Sequence, residues 1–285
     1  MFSKYEKAYS NCPICESSLV QAYHHDLNGN KISICKNCNV QFMNPVYSDA
    51  YLDDYYSKYT SEEYSQSVID EQRYTANDYL SLVSKISGRT GSMLDYGCGN
   101  GEHSNIGIQR GWDVVGYDVD CTIAKIISDK YNFEYLCDPF EEVDWNNKSF
   151  DLVYANQVVE HLKDPIKALK IIHGIVKDDG LVLVAVPNIY SLSRRIKFLI
   201  EKMGFRKGKV GKYYDAEHHI FYYNKNSISN MLKVAGFDVI YTANSKKAKL
   251  KQNKISKFIR RNITEKIIPN SALFVIAKKV KIDIS

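Results

Sequence analysis

The sequence contains no run of about 20 apolar residues, the length a membrane-spanning helix needs, and Met1 to Asn11 has no apolar core of the secretory-leader kind. A cytoplasmic location follows as the expectation. Internal repeats and low-complexity tracts are also missing, which excludes solenoid arrays and long disordered tails. A net charge of +5 is well below what a dedicated nucleic-acid binder carries. What is present is a 285-residue chain with 45% hydrophobic and 25% charged residues, enough for one sizeable α/β core and a small accessory module.

Cysteine usage is the first positive signal. Seven cysteines include Cys12-Pro-Ile-Cys15 and Cys35-Lys-Asn-Cys38, with Cys98, Cys121 and Cys137 as scattered singles. In a chain that is not secreted, two CxxC pairs favour a metal over disulfides. Their spacing suits two tight turns whose four thiolates converge on one Zn²⁺. The other readings are four small buried residues or a redox pair. Four sulfur ligands leave no open position, so the zinc is expected to be structural. His24 and His25 lie between the pairs and read as exposed hairpin residues.

Charge is unevenly spread. Arg194 to Lys212 holds eight Lys/Arg against one Glu, and Lys246 to Lys266 nine against one. Such runs are solvated helix faces or, taken together, a surface that attracts phosphate. Leu192, Ile196, Leu199 and Ile200 beside Arg194, Arg195 and Lys197 allow a helix lying on a membrane surface or one packing its apolar stripe on the core.

Periodicity divides the chain into residues 1–47 with the cysteines, a helical linker over 48–90, and an α/β domain over 91–285 with a basic insertion at about 188–214. In the domain, Met93-Leu94, Trp112 to Tyr117, Phe133 to Cys137, Phe150 to Tyr154 and Leu181 to Val186 read as strands. His103 to Arg110, Thr122 to Lys130 and Ile166 to Val176 read as the helices between them, so a largely parallel sheet is expected. A helix over Ser227 to Ala235 ends at Gly236, and strands follow at Phe237 to Tyr241 and Ala272 to Ala277.

Gly97, Gly99 and Gly101 follow the first of these strands and open a helix, so the backbone can turn sharply and approach a ligand closely. A dinucleotide fingerprint would place glycine where Glu102 stands, and it does not usually set an acid such as Asp95 just before the loop. A cationic sulfonium with an amino-acid tail tolerates that carboxylate, whereas a pyrophosphate needs uncrowded helix N–H groups. Asp118 ends the next strand, placed to accept from both ribose hydroxyls or to cap the following helix.

These motifs resemble class I S-adenosylmethionine-dependent methyltransferases, over roughly Gly91 to Ala277. The resemblance implies a doubly wound, Rossmann-like, seven-stranded sheet with S-adenosylmethionine bound by Asp95, Gly97, Gly99, Gly101, Asp118, Asp138 and Asn156. Asp138 falls where that family binds the adenine amino group, although Asp138-Pro139 also reads as a turn. Glu217-His218-His219-Ile220-Phe221-Tyr222 resembles a segment that borders the acceptor pocket in members acting on small molecules. The zinc ribbon, Phe42-Met43-Asn44-Pro45 and a Tyr-rich stretch resemble a bacterial subgroup linked to sugar, polysaccharide or natural-product tailoring.

Methyl transfer to a hydroxyl needs alignment and a proton acceptor, and His161, His218 and His219 are the candidates because an ordinary imidazole titrates near working pH. Tyr213, Tyr214 and Tyr222 are candidates to line the pocket. Gln157-Val-Val-Glu160-His161 resembles the Glu-x-x-Glu-His metal site of small-RNA and quinone O-methyltransferases. Here the first Glu is Gln157, a poorer ligand for magnesium-type ions, so no catalytic metal is expected. The expected partner is a small acceptor, such as a nucleotide-linked or lipid-linked sugar, with possible attachment at the membrane periphery. The alternatives are an RNA methyltransferase gripping its substrate with ribbon and basic runs, and a binding protein without turnover.

Overall fold

The computed structural model describes residues 3–6, 8–26, 28–59, 64–203, 213–214, 217–245 and 272–280. The second basic run, 246–266, and positions 204–212 of the first lie outside them. Among the described residues, no helix is long and apolar enough to cross a membrane.

Strands β1 (Val20–His25), β2 (Lys31–Cys35) and β3 (Gln41–Met43) form the antiparallel body of the cysteine-bearing segment. Helices α1 (Asp49–Tyr59) and α2 (Gln66–Ser87) lead into the α/β region. There follow β4 (Ser92–Tyr96), α3 (Glu102–Gln109), β5 (Asp113–Tyr117), α4 (Ala124–Tyr131), β6 (Glu134–Leu136) and β7 (Phe150–Asn156). The chain continues through α5 (Pro165–Ile175), β8 (Val176–Pro187), α6 (Leu192–Lys202), β9 (Phe221–Tyr222), α7 (Lys225–Val234), β10 (Phe237–Ser245) and β11 (Ala272–Lys279).

The large sheet has seven strands in the order β10-β11-β8-β7-β4-β5-β6. All neighbours are parallel except β11, which runs antiparallel to both β8 and β10. Helices cover both faces, which is why the central strands are near-continuous apolar runs. Along β4 and β7, Met93, Leu152 and Tyr154 pack on the α2 side with Tyr79, Leu80 and Val83, while Leu94, Val153 and Ala155 join the core beneath α5 and α7. Each fully buried side chain of α2 in that layer contributes about 1.5–3 kcal/mol. Val68 at the start of α2 is exposed instead.

Local signals define several helix ends. The Asp164 side chain accepts from the Lys167 N–H at the start of α5, with Pro165 in the first turn. Asn224 and Ser227 form a capping box on α7, and Gly236 follows that helix with φ +90°.

A second, four-stranded sheet has the order β1-β2-β3-β9, so a strand from beyond residue 220 completes the cysteine-bearing sheet. Gln41 pairs with Tyr222 and Phe42 with Phe221. Tyr214 donates to the buried Gln41 at 2.6 Å, and Tyr9 donates to the Lys163 carbonyl at 3.1 Å. One continuous apolar core runs from Cys12 and Phe42 through Phe221 to the sheet. Tyr213, Tyr214 and Tyr222, candidates for a pocket lining, are buried here, and Phe221 and Tyr222 form the strand that pairs with β3.

One expectation requires correction. Cys121 and Cys137 are not singles but a disulfide, with Cα atoms 5.3 Å apart. Parallel pairing sets Tyr117 opposite Leu136, so the loops leaving β5 and β6 are neighbours. Of the apolar stripe of α6, Leu192, Ile196 and Leu199 are exposed and Ile200 is half-buried, while Phe198 turns inward against His24 and Tyr213.

Candidate active site

From β4 the chain proceeds outward to β5 and β6, then returns to β7 on the other side. This opens a crevice at the carboxyl ends of β4 and β7, where α/β sheets bind ligands. Residues 97–101 line it. Gly97, Gly99 and Gly101 have φ values of +82°, +48° and +73°, a region that disfavours side chains. A Cβ on Gly97 would lie 2.3 Å from Val158, whereas one on Gly99 would meet only Asp118, at 4.0 Å. The loop is therefore packed beneath and open at its middle glycine, a cradle that fits the amino-acid end of S-adenosylmethionine. Gly97 and Cys98 donate their N–H groups to the Tyr117 carbonyl, which ties the loop to the end of β5.

Asp118 accepts from the Gly99 N–H at 2.9 Å and the Asp120 N–H at 3.2 Å. Burial raises its pKa. Beside it, Asp120 Oδ2 is buried without a hydrogen-bond partner, an acceptor available to a hydroxyl-bearing ligand. Asp95 is 2% exposed and accepts from Ser104 Oγ at 2.6 Å; burial pushes its pKa up to about 7. Asp138 is exposed just after β6, and Asn156 is half-buried at the end of β7. The loop groups and Asp118 thus touch one another, while Asp138 stands apart at the rim.

Residues outside the sequence-derived set also hold the loop. Gln72 of α2 accepts from Asn100, and Arg73 pairs with the buried Glu102 at 2.6 Å. Glu102 also accepts from Tyr131. His103 is buried against Tyr154, and burial lowers its pKa to about 4. Only the apolar side of α2 was legible as a helix face; its polar contacts carry no periodic signal.

The three candidate histidines come together. His161 follows β7, and His218 and His219 precede β9, yet their rings lie with centroids 5.0, 4.7 and 4.4 Å apart. Tyr55 bonds His218 Nδ1 at 2.9 Å and Tyr56 bonds His161 Nδ1 at 3.2 Å, so α1 forms one wall. Glu160, fully buried, has both carboxylate oxygens without a partner, and burial pushes its pKa up to about 8. Burial also drives His161 down to about 3 and His219 well below its usual value. Near-neutral titration, the reason for nominating these residues, therefore does not hold for His161 and His219.

Cys12, Cys15, Cys35 and Cys38 cluster with all four sulfurs within 4.8 Å of one another. Cys12 and Cys38 Sγ are 3.7 Å apart, and Cys15 and Cys35 Sγ 3.6 Å. A tetrahedron of Zn–S bonds of about 2.3 Å has edges of about 3.8 Å, so the donor set fits zinc. Hydrogen bonds from Ile14 N–H to Cys12 and from Asn37 to Cys15 would support thiolates there.

The sequence profile of a methyltransferase-domain family matches residues 69–242, and the chain belongs to that family. It is an S-adenosylmethionine-dependent methyltransferase of class I. A Methanocaldococcus jannaschii protein of uncharacterized function is 29% identical over 202 residues, which cover 66% of this chain and 76% of that one. A ubiquinone biosynthesis O-methyltransferase of Rhodopseudomonas palustris is 36% identical over 101 residues, spanning 34% of this chain and 40% of that one. The fold is shared with the Burkholderia thailandensis 1,6-didemethyltoxoflavin-N1-methyltransferase, solved with S-adenosylhomocysteine (TM-score 0.56, 15% identity, covering 92% of this chain and 100% of that one). It is shared too with the plantazolicin methyltransferase in complex with S-adenosylhomocysteine (TM-score 0.57, 15% identity, 81% and 93%).

Proposed function

We propose that the chain methylates a small acceptor bearing sugar or phosphate, in the tailoring of a cell-surface polysaccharide or natural product. The division into a zinc-ribbon module over 1–47, a helical bridge over 48–90 and a catalytic domain over 91–285 belongs to this reading, as does a cytoplasmic site of action. Gly97, Gly99 and Gly101 cradle the methionine end of the donor beside Asp95, Asp118 takes the ribose, Asp138 the adenine amino group, and Asn156 borders the sulfonium. The donor supplies an electrophilic methyl group. In-line attack by the acceptor breaks the S–CH₃ bond, whose electron pair passes to sulfur, and the acceptor's proton passes to His218, with His161 and His219 orienting the acceptor.

The observation that carries this reading is the meeting of His161, His218 and His219 beyond the end of β7, the strand that ends at Asn156. A histidine cluster walled by Tyr55 and Tyr56 suits positioning of a small polar acceptor. Relatives named for ubiquinone biosynthesis, plantazolicin and didemethyltoxoflavin support a small-molecule class over RNA. The lipid-linked form of the acceptor draws support from α6, whose exposed Leu192, Ile196 and Leu199 lie on a helix with Arg194, Arg195 and Lys197. The test is incubation with methyl-labelled S-adenosylmethionine and fractionated cell extract. Label is expected in nuclease-resistant small molecules or glycolipids; label confined to nuclease-sensitive polymer refutes the reading.

A further inference from the structure

We infer that His161, His218 and His219 form a second metal site, separate from the four cysteines, which takes a divalent first-row transition ion. One ligand atom from each ring lies within 4.8 Å of the other two. Metal–nitrogen bonds of about 2.1 Å in a tetrahedron put ligand atoms about 3.4 Å apart, and the His161 and His218 rings, stacked 10° from parallel, must turn for their lone pairs to converge.

A second observation points the same way. His161 Nδ1 lies 3.4 Å from the His218 carbonyl and 3.2 Å from Tyr56 Oη. A carbonyl can only accept, so the tautomer that bonds it carries its proton on Nδ1 and keeps the Nε2 lone pair for an ion. Metal-binding histidines are oriented in this way by a partner on the other nitrogen. Tyr55 Oη lies 2.9 Å from His218 Nδ1. A third feature is Glu160: fully buried, with both oxygens unpartnered and Oε1 3.9 Å from His161 Nε2. A carboxylate left unpaired in an apolar core is costly, and a dication beside it supplies the missing compensation.

Donor chemistry selects the ion. Three imidazoles suit zinc, copper, iron or nickel, whereas magnesium demands oxygen ligands. The substitution of glutamine at position 157 bears on a magnesium-type ion and not on metals that prefer imidazole nitrogen. Three protein ligands leave a position open for an acceptor oxygen. This function of the site rests on the reading above: His161, His218 and His219 would hold the ion, which would supply Lewis-acid activation of an acceptor hydroxyl.

The experiment is metal counting on the full chain with its cysteine site filled by zinc, followed by titration with Co²⁺. Two metal equivalents are expected by plasma mass spectrometry after exposure to Zn²⁺. With Co²⁺, the second should absorb in the visible without the thiolate charge-transfer band of a four-cysteine site. His161→Ala should lose that equivalent and keep the cysteine-bound one, and Tyr56→Phe should weaken Co²⁺ binding by roughly 10- to 100-fold. S-adenosylmethionine binding by each variant reports that the domain is folded. A wild-type chain holding only the cysteine-bound ion overturns the inference, as does a second equivalent that survives both His161→Ala and Tyr56→Phe. Methylation of a small acceptor that persists with one metal equivalent sinks this inference alone. Two equivalents with label only in RNA sink the function and leave the metal site.

Discussion

Replacing Asp95 with asparagine tests the electrostatics of the crevice. Asp95 is 2% exposed, and burial, partly opposed by the Ser104 hydrogen bond and reinforced by the charge of Asp118, lifts its pKa from 3.8 to about 7. A raised carboxylate means that the folded state holds a proton which the unfolded chain releases. Below about pH 4 both states are protonated, and this group costs nothing. As pH rises towards 7 the folded state binds more protons than the unfolded one, so stability falls; above 7 the full penalty is present. Three pKa units at about 1.4 kcal/mol each put that penalty on the order of 4 kcal/mol. Asparagine retains an oxygen that can accept from Ser104 and carries no charge. Asp95→Asn is therefore expected to be the more stable protein at pH 8, with the difference shrinking steadily towards pH 4. Urea unfolding of both proteins across that range measures it, and taking the difference cancels any pH dependence common to both, including that of the cysteine site. By linkage, a cationic donor binds better once Asp95 is ionised, so wild-type affinity for S-adenosylmethionine should climb from pH 6 to 8 and that of the variant should stay level. A stability difference that is constant with pH, or grows as pH falls, refutes the reasoning.

Asp118→Ala removes the acceptor of the Gly99 and Asp120 N–H groups and should weaken S-adenosylmethionine binding by about 1–3 kcal/mol, roughly 5- to 150-fold by calorimetry. Unchanged affinity would place the ribose elsewhere. Cys35→Ser should release the zinc and destabilise the N-terminal sheet while donor binding persists; wild-type protein without zinc by metal analysis would contradict this.

The glycine loop, the strand–helix alternation and the cysteine quartet were legible because each depends on local spacing. Buried strands such as Leu181 to Val186 announce themselves as apolar runs, although β8 begins earlier, at Val176, in a polar stretch that gives no such sign. Contacts between distant segments were not legible. Periodicity says that a face of α2 is buried, but not that Arg73 on another face reaches Glu102. The Cys121–Cys137 pair depends on the β5–β6 register. The stripe on α6 has helical spacing whether it faces the core or water. The histidines could be nominated one by one from residue type, yet their convergence arises from Ile220 and Phe221 donating their N–H groups to the Glu160 carbonyl, a tertiary contact with no sequence signature.

The pairing of Phe42 with Phe221 has a bearing on how the chain is made. Synthesis proceeds at roughly 5–20 residues per second, so the N-terminal hairpins leave the ribosome on the order of ten to thirty seconds before their last strand exists. During that interval the free edge of β3 has its backbone groups unpaired beside an apolar surface, the situation in which nascent chains recruit chaperones or one another. A cell that makes this protein must shield that edge until the far end of the polypeptide arrives to close it.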